Sequence, residues 1–299
     1  MKLENPMKVL VRRRAALGDV VISTGIVREL HNRYGENAVI DVATQHPQVF
    51  DNNPYIRNVI AISEANDSAV NLKQYDVVYN LDDTYELNPE GHFADNYFYR
   101  VFGDTEVDKS MELYIDQNSE AKVDEFVSAI GGKFISMHMR NWYWDLKNIK
   151  LEVWLDVVNQ LYKEYPDLKI VAVGGETDYC MELPHMVDAR ALFTPGELCY
   201  LMDHAQCFVG IDSAPFHIAG SSETGIVALL SHMYPNKVLP YRNGILGNRC
   251  EVVQADVSCV GCHSRQARPV RQIVCERGDF ACNRMWDTAK IVDAIKKFL

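Results

Sequence analysis

The sequence predicts an α/β protein made of two halves, each with a parallel sheet covered by helices. Short β-branched runs alternate with longer amphipathic stretches along the chain, a pattern typical of parallel strands joined by helical crossovers. This series occurs twice. Single cores stop growing near roughly 250–300 residues, so a chain of 299 residues is expected to divide its core. We expect an N-terminal domain at 1–123, a C-terminal domain at 124–285 and a closing helix at 286–299, with a cleft between the halves.

The N-terminal half is predicted to begin with a strand at Lys8–Arg13. A helix follows, and its apolar stripe consists of Val20, Val27, Leu30 and Tyr34. Three further β-branched runs predict strands, at Val39–Ala43, Asn58–Ile62 and Asp76–Leu81. Residues 82–96 are polar and predict irregular structure before an apolar segment at Tyr97–Phe102. The polar segment Asp116–Val123 predicts the linker to the second half.

The C-terminal half repeats the alternation. Strands are predicted at Phe134–Arg140, Leu168–Val173 and Cys207–Ile211. Helices are predicted near Leu151–Tyr165, Pro195–His204 and Asp287–Leu299. Open parallel sheets bind ligands at the carboxyl ends of their strands. Six residues of the two halves are therefore expected at a ligand site: Asp19, Arg140, Gly174, Gly175, Asp212 and Ser213.

The composition is that of an ordinary globular protein, with 47% apolar and 24% charged residues, which excludes a disordered or low-complexity chain. A formal charge of −11 disfavours a protein that binds polyanions with its whole surface. No run approaches the ~18 apolar residues of a spanning helix, and the N-terminus lacks the features of a signal peptide. We expect a cytoplasmic protein without a transmembrane segment.

The first chemical motif lies where the first strand turns into a helix, and it contains Arg13, Gly18 and Asp19. Free backbone N–H groups and the helix dipole favour anionic groups at such a turn. Asp19 is either a helix N-cap or a catalytic carboxylate, and the motif alone favours the N-cap. Arg13 ends a buried strand, where it is either a solvated charge or a phosphate ligand.

The second motif follows an apolar strand and reads Asp212-Ser213-Ala214-Pro215-Phe216-His217. Asp212 and Ser213 suit a helix cap, and Pro215 suits a first helical turn. That structural interpretation leaves His217 unexplained, because this side chain would face the same cleft one turn further on. A lone histidine is more often structural than functional, so this motif indicates a site only in combination with the first.

Together, the order and spacing of the two motifs resemble glycosyltransferase family 9, the heptosyltransferase family. The family's Arg-x3-Leu-Gly-Asp-Val turn is matched by Arg13, Leu17, Gly18, Asp19 and Val20. Its Asp-Ser-Gly-x2-His turn is matched by Asp212, Ser213 and His217. Between them, residues 147–154, beginning with Lys147, resemble the family's Lys-Arg-Trp-Pro-x-Glu-x-Phe segment. Residues 173–176 resemble its Gly-Gly-x2-Glu turn, and the whole resemblance spans about residues 8–245.

The resemblance implies an enzyme of GT-B architecture, with two facing Rossmann-like domains. It implies transfer of a sugar from a nucleotide-sugar donor, ADP-heptose in well-known relatives, with inversion and without a catalytic metal ion. The implied acceptor is a hydroxyl of a glycan, a lipopolysaccharide core or a protein. By similarity Asp19 is the base, and Lys147 and Arg140 hold the diphosphate. The implied donor-binding residues are Arg13, Gly18, Arg140, Lys147, Gly174, Gly175, Glu176, Asp212, Ser213, Ala214 and His217.

The chain also departs from the family pattern. Ala214 stands where the family prefers glycine, and Thr224-Gly225 replaces a usual Thr-Pro pair. Two other functions stay open. One is a catalytically silent nucleotide-sugar-binding protein, which Ala214 favours and Asp19 disfavours. The other is a glycosyltransferase that acts on modified (hydroxymethylated) DNA.

Four cysteines near the C-terminus form a third motif, Cys259-x2-Cys262-x12-Cys275-x6-Cys282. Four thiolates at such spacings suit a tetrahedral structural metal site, with zinc expected ahead of iron. The alternatives are four free cysteines or two redox disulfides, and His263 is a further candidate ligand. The resemblance adds that relatives which glycosylate bacterial surface proteins carry a comparable cysteine-bound metal. A closed site of this kind is expected to be structural and not to touch the chemistry.

Residues 259–299 carry eight Lys and Arg against four Asp and Glu, whereas the rest of the chain is acidic. Arg265, Arg268 and Arg271 lie beside the cysteines. A solvated basic face is the simpler interpretation. The alternative is a contact surface for a polyanionic acceptor, either a lipopolysaccharide core or a nucleic acid.

Overall fold

The computed structural model describes residues 5–66, 70–87, 90–140, 145–266 and 274–299. It contains a parallel sheet in each half of the chain, so the predicted α/β class is confirmed. The strands of the N-terminal half are β1 (Met7–Arg12), β2 (Ala38–Thr44), β3 (Ile56–Ala61) and β4 (Val77–Asn80). Its first helices are α1 (Leu17–Ile22), α2 (Thr24–Tyr34), α3 (Thr84–Leu87) and α4 (Phe93–Phe102).

The N-terminal sheet has the strand order β3-β2-β1-β4, and every neighbouring pair is parallel. In the central strand β1, Val9 and Val11 pack in the main core, while Leu10 packs in a smaller cluster. All three side chains are fully buried, as expected for a parallel strand covered on both faces. The end of β1 therefore brings the turn with Asp19 to the carboxyl edge of the sheet.

Two elements of this half differ from the sequence prediction. The helix expected to run to Tyr34 is divided at Ser23, whose hydroxyl donates to the carbonyl of Val20 (2.7 Å). The irregular stretch expected at 82–96 contains α3 and the start of α4. His92 caps α4, because its Nδ1 atom accepts the N–H of Ala94 (3.0 Å).

The segment expected to be a linker is the first part of helix α5 (Gln117–Ile130). Asp116 is its N-cap and accepts the N–H of Ser119 (2.8 Å). Only Val123 and Ile130 are buried on its inner face. The sequence did not predict this helix, because a helix with so few apolar positions has the composition of a polar connection.

The C-terminal half confirms the predicted alternation of strands and helices. Its strands are β5 (Phe134–Met137), β6 (Lys169–Ala172), β7 (Met186–Asp188), β8 (Cys207–Ile211), β9 (Gly225–Leu230), β10 (Tyr241–Arg242), β11 (Ile245–Leu246) and β12 (Cys250–Gln254). Its helices are α6 (Leu151–Glu164), α7 (Pro195–Asp203), α8 (Ala214–Gly220), α9 (Pro235–Val238), α10 (Cys262–Gln266) and α11 (Thr288–Lys296). Six strands form a parallel sheet in the order β12-β9-β8-β5-β6-β7, and β10 and β11 form a separate antiparallel pair.

One apolar cluster continues from the first half into the second. It includes Val11 and Phe98 from the N-terminal half and Phe134, Phe208 and Phe216 from the C-terminal half. The halves thus share a core, and the carboxyl ends of β1 and β8 meet above it. No helix in the described ranges combines the length and the apolar character needed to cross a membrane.

Candidate functional site

Asp19 lies in the first turn of α1, and its side chain is 15% exposed. The N-cap of this helix is Ala16, whose N–H is accepted by Asp19 Oδ2 (3.2 Å). The hydroxyl of Tyr85 donates to Asp19 Oδ1 (2.7 Å), and the Arg13 guanidinium lies 3.0 Å from Oδ2. The N-cap alternative for Asp19 is therefore wrong. Both carboxylate oxygens are held in place by neighbouring donors.

Arg13 is buried behind Asp19. Its Nη2 atom lies 2.7 Å from Glu86 Oε1, and Nη1 donates to the carbonyl of Leu81 (3.0 Å). Burial alone would lower the pKa of Arg13, but the Asp19 carboxylate and neighbouring groups raise that pKa above its ordinary value. The sequence predicted that Arg13 binds the donor. The structure places it against Asp19 and outside the described linings of the two cavities below.

Asp212 is the centre of a second cluster, at the carboxyl end of β8, and it is almost fully buried. The ammonium of Lys147 lies 2.7 Å from its Oδ2 atom. His217 Nε2 lies 3.3 Å from Oδ1, and His232 Nε2 lies 3.6 Å from Oδ2. Burial would raise the pKa of Asp212, but Lys147 and the two histidines hold that pKa well below its usual value. Asp212 is therefore a carboxylate at neutral pH.

The two clusters face each other across a cavity of about 300 Å³, which we call the catalytic cavity. Its lining brings together many predicted residues: Gly18, Asp19, Arg140, Lys147, Asp212, Ser213, Ala214 and His217. Gly18 is required at the contact between the halves, because a Cβ atom there would lie 2.8 Å from the His217 ring. The two motifs, almost 200 residues apart in the chain, therefore form one site.

A second cavity, of about 570 Å³, adjoins the first, and we call it the outer cavity. Arg140 and Ala214 line both cavities, so the two cavities are neighbours. The predicted residues Gly174 and Gly175 line the outer cavity, together with apolar side chains such as Phe193. Glu176 is exposed and is absent from the described linings of both cavities.

A buried hydrogen-bonded chain connects the two cavities. Ser213 Oγ lies 2.9 Å from His138 Nδ1, and His138 Nε2 lies 2.9 Å from Asp178 Oδ2. Gly174 permits this arrangement. It has φ of +132°, and a Cβ atom there would overlap the Asp178 carboxylate and lie 2.7 Å from the His138 ring.

Sequence reasoning missed several residues of the site: Tyr85, Glu86, His138, Asp178 and His232. Tyr85 and Glu86 lie in a short helix within the stretch expected to be irregular. His138 and His232 are single histidines that follow buried strands. The only available signal was their position at strand ends, where ligands collect in parallel sheets.

The four cysteines lie in one region, but the expected metal knuckle is not shown. Among the described residues, no group of three or more His, Cys, Asp or Glu side chains is arranged to hold a metal ion. Burial and the thiols of Cys262, Cys275 and Cys259 raise the pKa of Cys282 to about 11. The other three thiols therefore lie near enough to Cys282 to disfavour its thiolate form. All four are free thiols.

The cysteine segment also borders the catalytic cavity. His263, next to Cys262, lines that cavity and stacks on His232, with ring centroids 5.8 Å apart. The backbone N–H of His263 donates to the backbone carbonyl of His232 (2.9 Å). The sequence predicted that a closed four-cysteine site would not touch the chemistry, and the structure places the neighbouring His263 at the cavity wall. The distance in sequence between Asp19 and His263 concealed their common cavity.

The basic surface expected beside the cysteines is partly neutralised. Arg265 pairs with Glu276 (2.7 Å), and Arg277 pairs with Asp279 (3.1 Å). Arg268 and Arg271 lie outside the described residues.

Comparison with known proteins gives similarity in fold over the whole chain and in sequence over a short segment. No protein-family model matches the sequence. A lipopolysaccharide heptosyltransferase 3 of Escherichia coli is 38% identical over 64 residues, which are 21% of this chain and 19% of that relative. The chain thus spans only about a fifth of the curated relative that it matches.

Several solved structures match over the full length of the chain. A glycosyltransferase family 9 protein from Veillonella parvula has a TM-score of 0.78 at 18% identity, and the match covers 99% of that protein. The iron-containing dodecameric glycosyltransferase TibC from enterotoxigenic E. coli has a TM-score of 0.71 at 13% identity, with 77% of it covered. The chain therefore has the fold of the heptosyltransferases of glycosyltransferase family 9, as its two motifs predicted.

Proposed function

We propose that this protein is an inverting glycosyltransferase that transfers a sugar, heptose from ADP-heptose, to an acceptor hydroxyl. The observation that carries the proposal is the opposition of Asp19 to Lys147, Asp212 and His217 across one cavity. TibC, which shares the fold, has been crystallised with ADP-D-β-D-heptose. That complex supports the choice of donor.

In this mechanism Asp19 takes the proton of the acceptor hydroxyl. The acceptor oxygen forms a bond to the anomeric carbon from the face opposite the diphosphate, and the carbon–oxygen bond to the diphosphate breaks. The electron pair of that bond leaves with the diphosphate. Arg140 and Lys147, which line the cavity, stabilise its negative charge without a catalytic metal ion. The Tyr85 hydroxyl and Arg13 keep the Asp19 carboxylate oriented throughout.

The first test is a panel of ADP-, UDP-, GDP- and CDP-linked sugars, with binding and released nucleotide as readouts. We expect selective binding and slow hydrolysis of an ADP-sugar. Asp19→Asn should reduce turnover by about 10²- to 10⁴-fold, the usual contribution of a general base, and leave donor affinity unchanged. Asp293→Asn, at an exposed position of α11, is the matched control and should leave both unchanged.

The outcomes separate the alternatives. Binding without any turnover, equal in the native protein and Asp19→Asn, would identify a silent nucleotide-sugar-binding protein. Absence of binding to every member of the panel would refute the assignment of the site. Once a donor is known, glycan, lipopolysaccharide and protein acceptors can be compared. Hydroxymethylated DNA is included in that comparison, and its use would show as affinity that falls steeply with salt.

We further propose a structural metal ion at Cys259, Cys262, Cys275 and Cys282, with zinc ahead of iron. The chemistry of the four donors fits, because thiolates bind both metals and the other three thiols act on the pKa of Cys282. These residues would hold the ion and stabilise the segment that carries His263. We place the protein in the cytoplasm, where its cysteines stay reduced.

Elemental analysis of the purified protein tests this metal site. We expect one equivalent of zinc or iron, and TibC, described as iron-containing, is the reason to measure both. Cys262→Ser should abolish the metal content, whereas Cys180→Ser, outside the cluster, should retain it. Full metal content in Cys262→Ser would contradict the assignment.

A further inference from the structure

Ser213, His138 and Asp178 form a series of hydrogen bonds, and the chemistry of the three side chains determines which atom donates in each bond. Asp178 Oδ2 accepts the N–H of Gly175 (2.8 Å) and lies 2.9 Å from His138 Nε2. A carboxylate only accepts hydrogen bonds, so Nε2 carries a proton and donates it to Asp178. Burial lowers the pKa of His138, which keeps the ring neutral at neutral pH. His138 Nδ1 then has a lone pair directed at Ser213.

The hydroxyl proton of Ser213 therefore points into the protein. Within the described part of the chain, its two hydrogen-bond partners are His138 Nδ1 (2.9 Å) and the carbonyl of Ile211 (3.0 Å). A serine hydroxyl has a single proton, and both partners are groups of the protein, so no proton of this hydroxyl remains for a ligand. With either partner, the Ser213 hydroxyl has only lone pairs left for a ligand in the catalytic cavity, which Ser213 lines.

We infer that the Ser213 hydroxyl accepts a hydrogen bond from a hydroxyl of the transferred sugar and does not donate one to the diphosphate. Phosphate oxygens are acceptors, and two acceptors without a proton between them repel each other. A sugar hydroxyl has the proton that this position requires. Ser213 is then a binding residue specific for the sugar, and His138 and Asp178 are positioning residues for it. The inference rests on the proposed function, because it assumes a nucleotide-sugar donor.

The test compares two ligands that differ only in the sugar. Binding of ADP-heptose and of ADP is measured by calorimetry in the native protein and in Ser213→Ala. We expect Ser213→Ala to weaken ADP-heptose binding by about 10-fold, the effect of one hydrogen bond, and to change ADP binding by less than about 2-fold. Ser213→Thr, which keeps the hydroxyl, should restore most of the lost affinity.

Asp178 variants test the positioning role with the same ligand pair. Asp178→Ala should weaken ADP-heptose binding selectively, and adding Ser213→Ala should weaken it no further, because both changes act through one hydrogen bond. Asp178→Asn keeps an acceptor oxygen for His138 and should behave like the native protein. A purely structural role for Asp178 would affect both ligands alike.

Deoxy analogues of the donor sugar provide a test that needs no assumption about the folding of the variants. The analogue that lacks the hydroxyl bound by Ser213 should bind the native protein more weakly than ADP-heptose does. In Ser213→Ala, this analogue and ADP-heptose should bind with equal affinity. Equal losses for ADP and ADP-heptose in Ser213→Ala would overturn the inference, and so would no loss for either ligand. If the native protein binds ADP-heptose but shows these results, the inference fails alone. If it binds no nucleotide-sugar, the proposed function fails as well.

Discussion

Replacing Lys147 with methionine should destabilise the protein, because it leaves the buried Asp212 carboxylate without its cation. The Nζ–Oδ2 distance is 2.7 Å, Asp212 is 3% exposed and the Lys147 side chain is 19% exposed. Coulomb attraction at that distance is about 6 kcal/mol for an effective dielectric constant of about 20. His217 and His232 still contact the carboxylate in the variant. We therefore expect a loss near the lower end of the range for broken buried pairs, about 3 kcal/mol.

Thermal unfolding of four proteins measures this effect: the native protein, Lys147→Met, Asp212→Asn and the double variant. A loss of this size should lower the melting temperature by about 6 °C, and the double variant should lose less than the two single variants combined. Lys290→Met, in an exposed pair with Asp287, is the control and should melt like the native protein. If the loss in the double variant equals the sum of the two single losses, Lys147 and Asp212 do not interact directly. An unchanged melting temperature in Lys147→Met would refute the contribution of this pair to stability.

Two further predictions concern pH and backbone conformation. Burial lowers the pKa of His92 to about 4, so the unfolded chain binds a proton more readily than the folded one. The free energy of unfolding should therefore keep its full value above pH 6.5. It should fall by up to roughly 3 kcal/mol as the pH drops from 6.5 to 4. His92→Asn should flatten this part of the profile in denaturant titrations, and an unaltered slope would contradict the assignment. Gly174→Ala should cost about 2–3 kcal/mol by the same assay, because its Cβ would crowd His138 and the residue has φ of +132°. Gly175→Ala, whose Cβ would be 3.8 Å from its nearest neighbour, is the matched control, and equal losses in the two variants would exclude a steric cause.

The elements that the sequence predicted well are those with a strong apolar signal. β8 has the predicted bounds, and α6 and α7 begin where predicted, because each buries a continuous run or a clear stripe. Helix α5 was missed since only two of its side chains are buried, so its pattern was too weak to distinguish it from a linker. The periodic spacing of apolar residues indicates which positions are buried. A helix or strand that buries few side chains therefore has only a weak apolar pattern in the sequence.

In the candidate site too, some residues could be predicted from the sequence and others could not. Asp19 and His217 stand in compact motifs, and their convergence could be predicted from strand order and family resemblance. The supporting residues carry no local signal. His138 lies 75 residues from Ser213 and 40 residues from Asp178 in the chain, and only the folded sheet brings the three together. Their roles depend on hydrogen-bond direction, which no spacing in the sequence encodes.

The contact between Gly18 and His217 joins the two halves inside the catalytic cavity itself. A methyl group at this position would meet the His217 ring, so α1 and α8 could not approach each other as closely. The absence of a side chain at Gly18 thus sets how near Asp19 and Asp212 stand across the cavity.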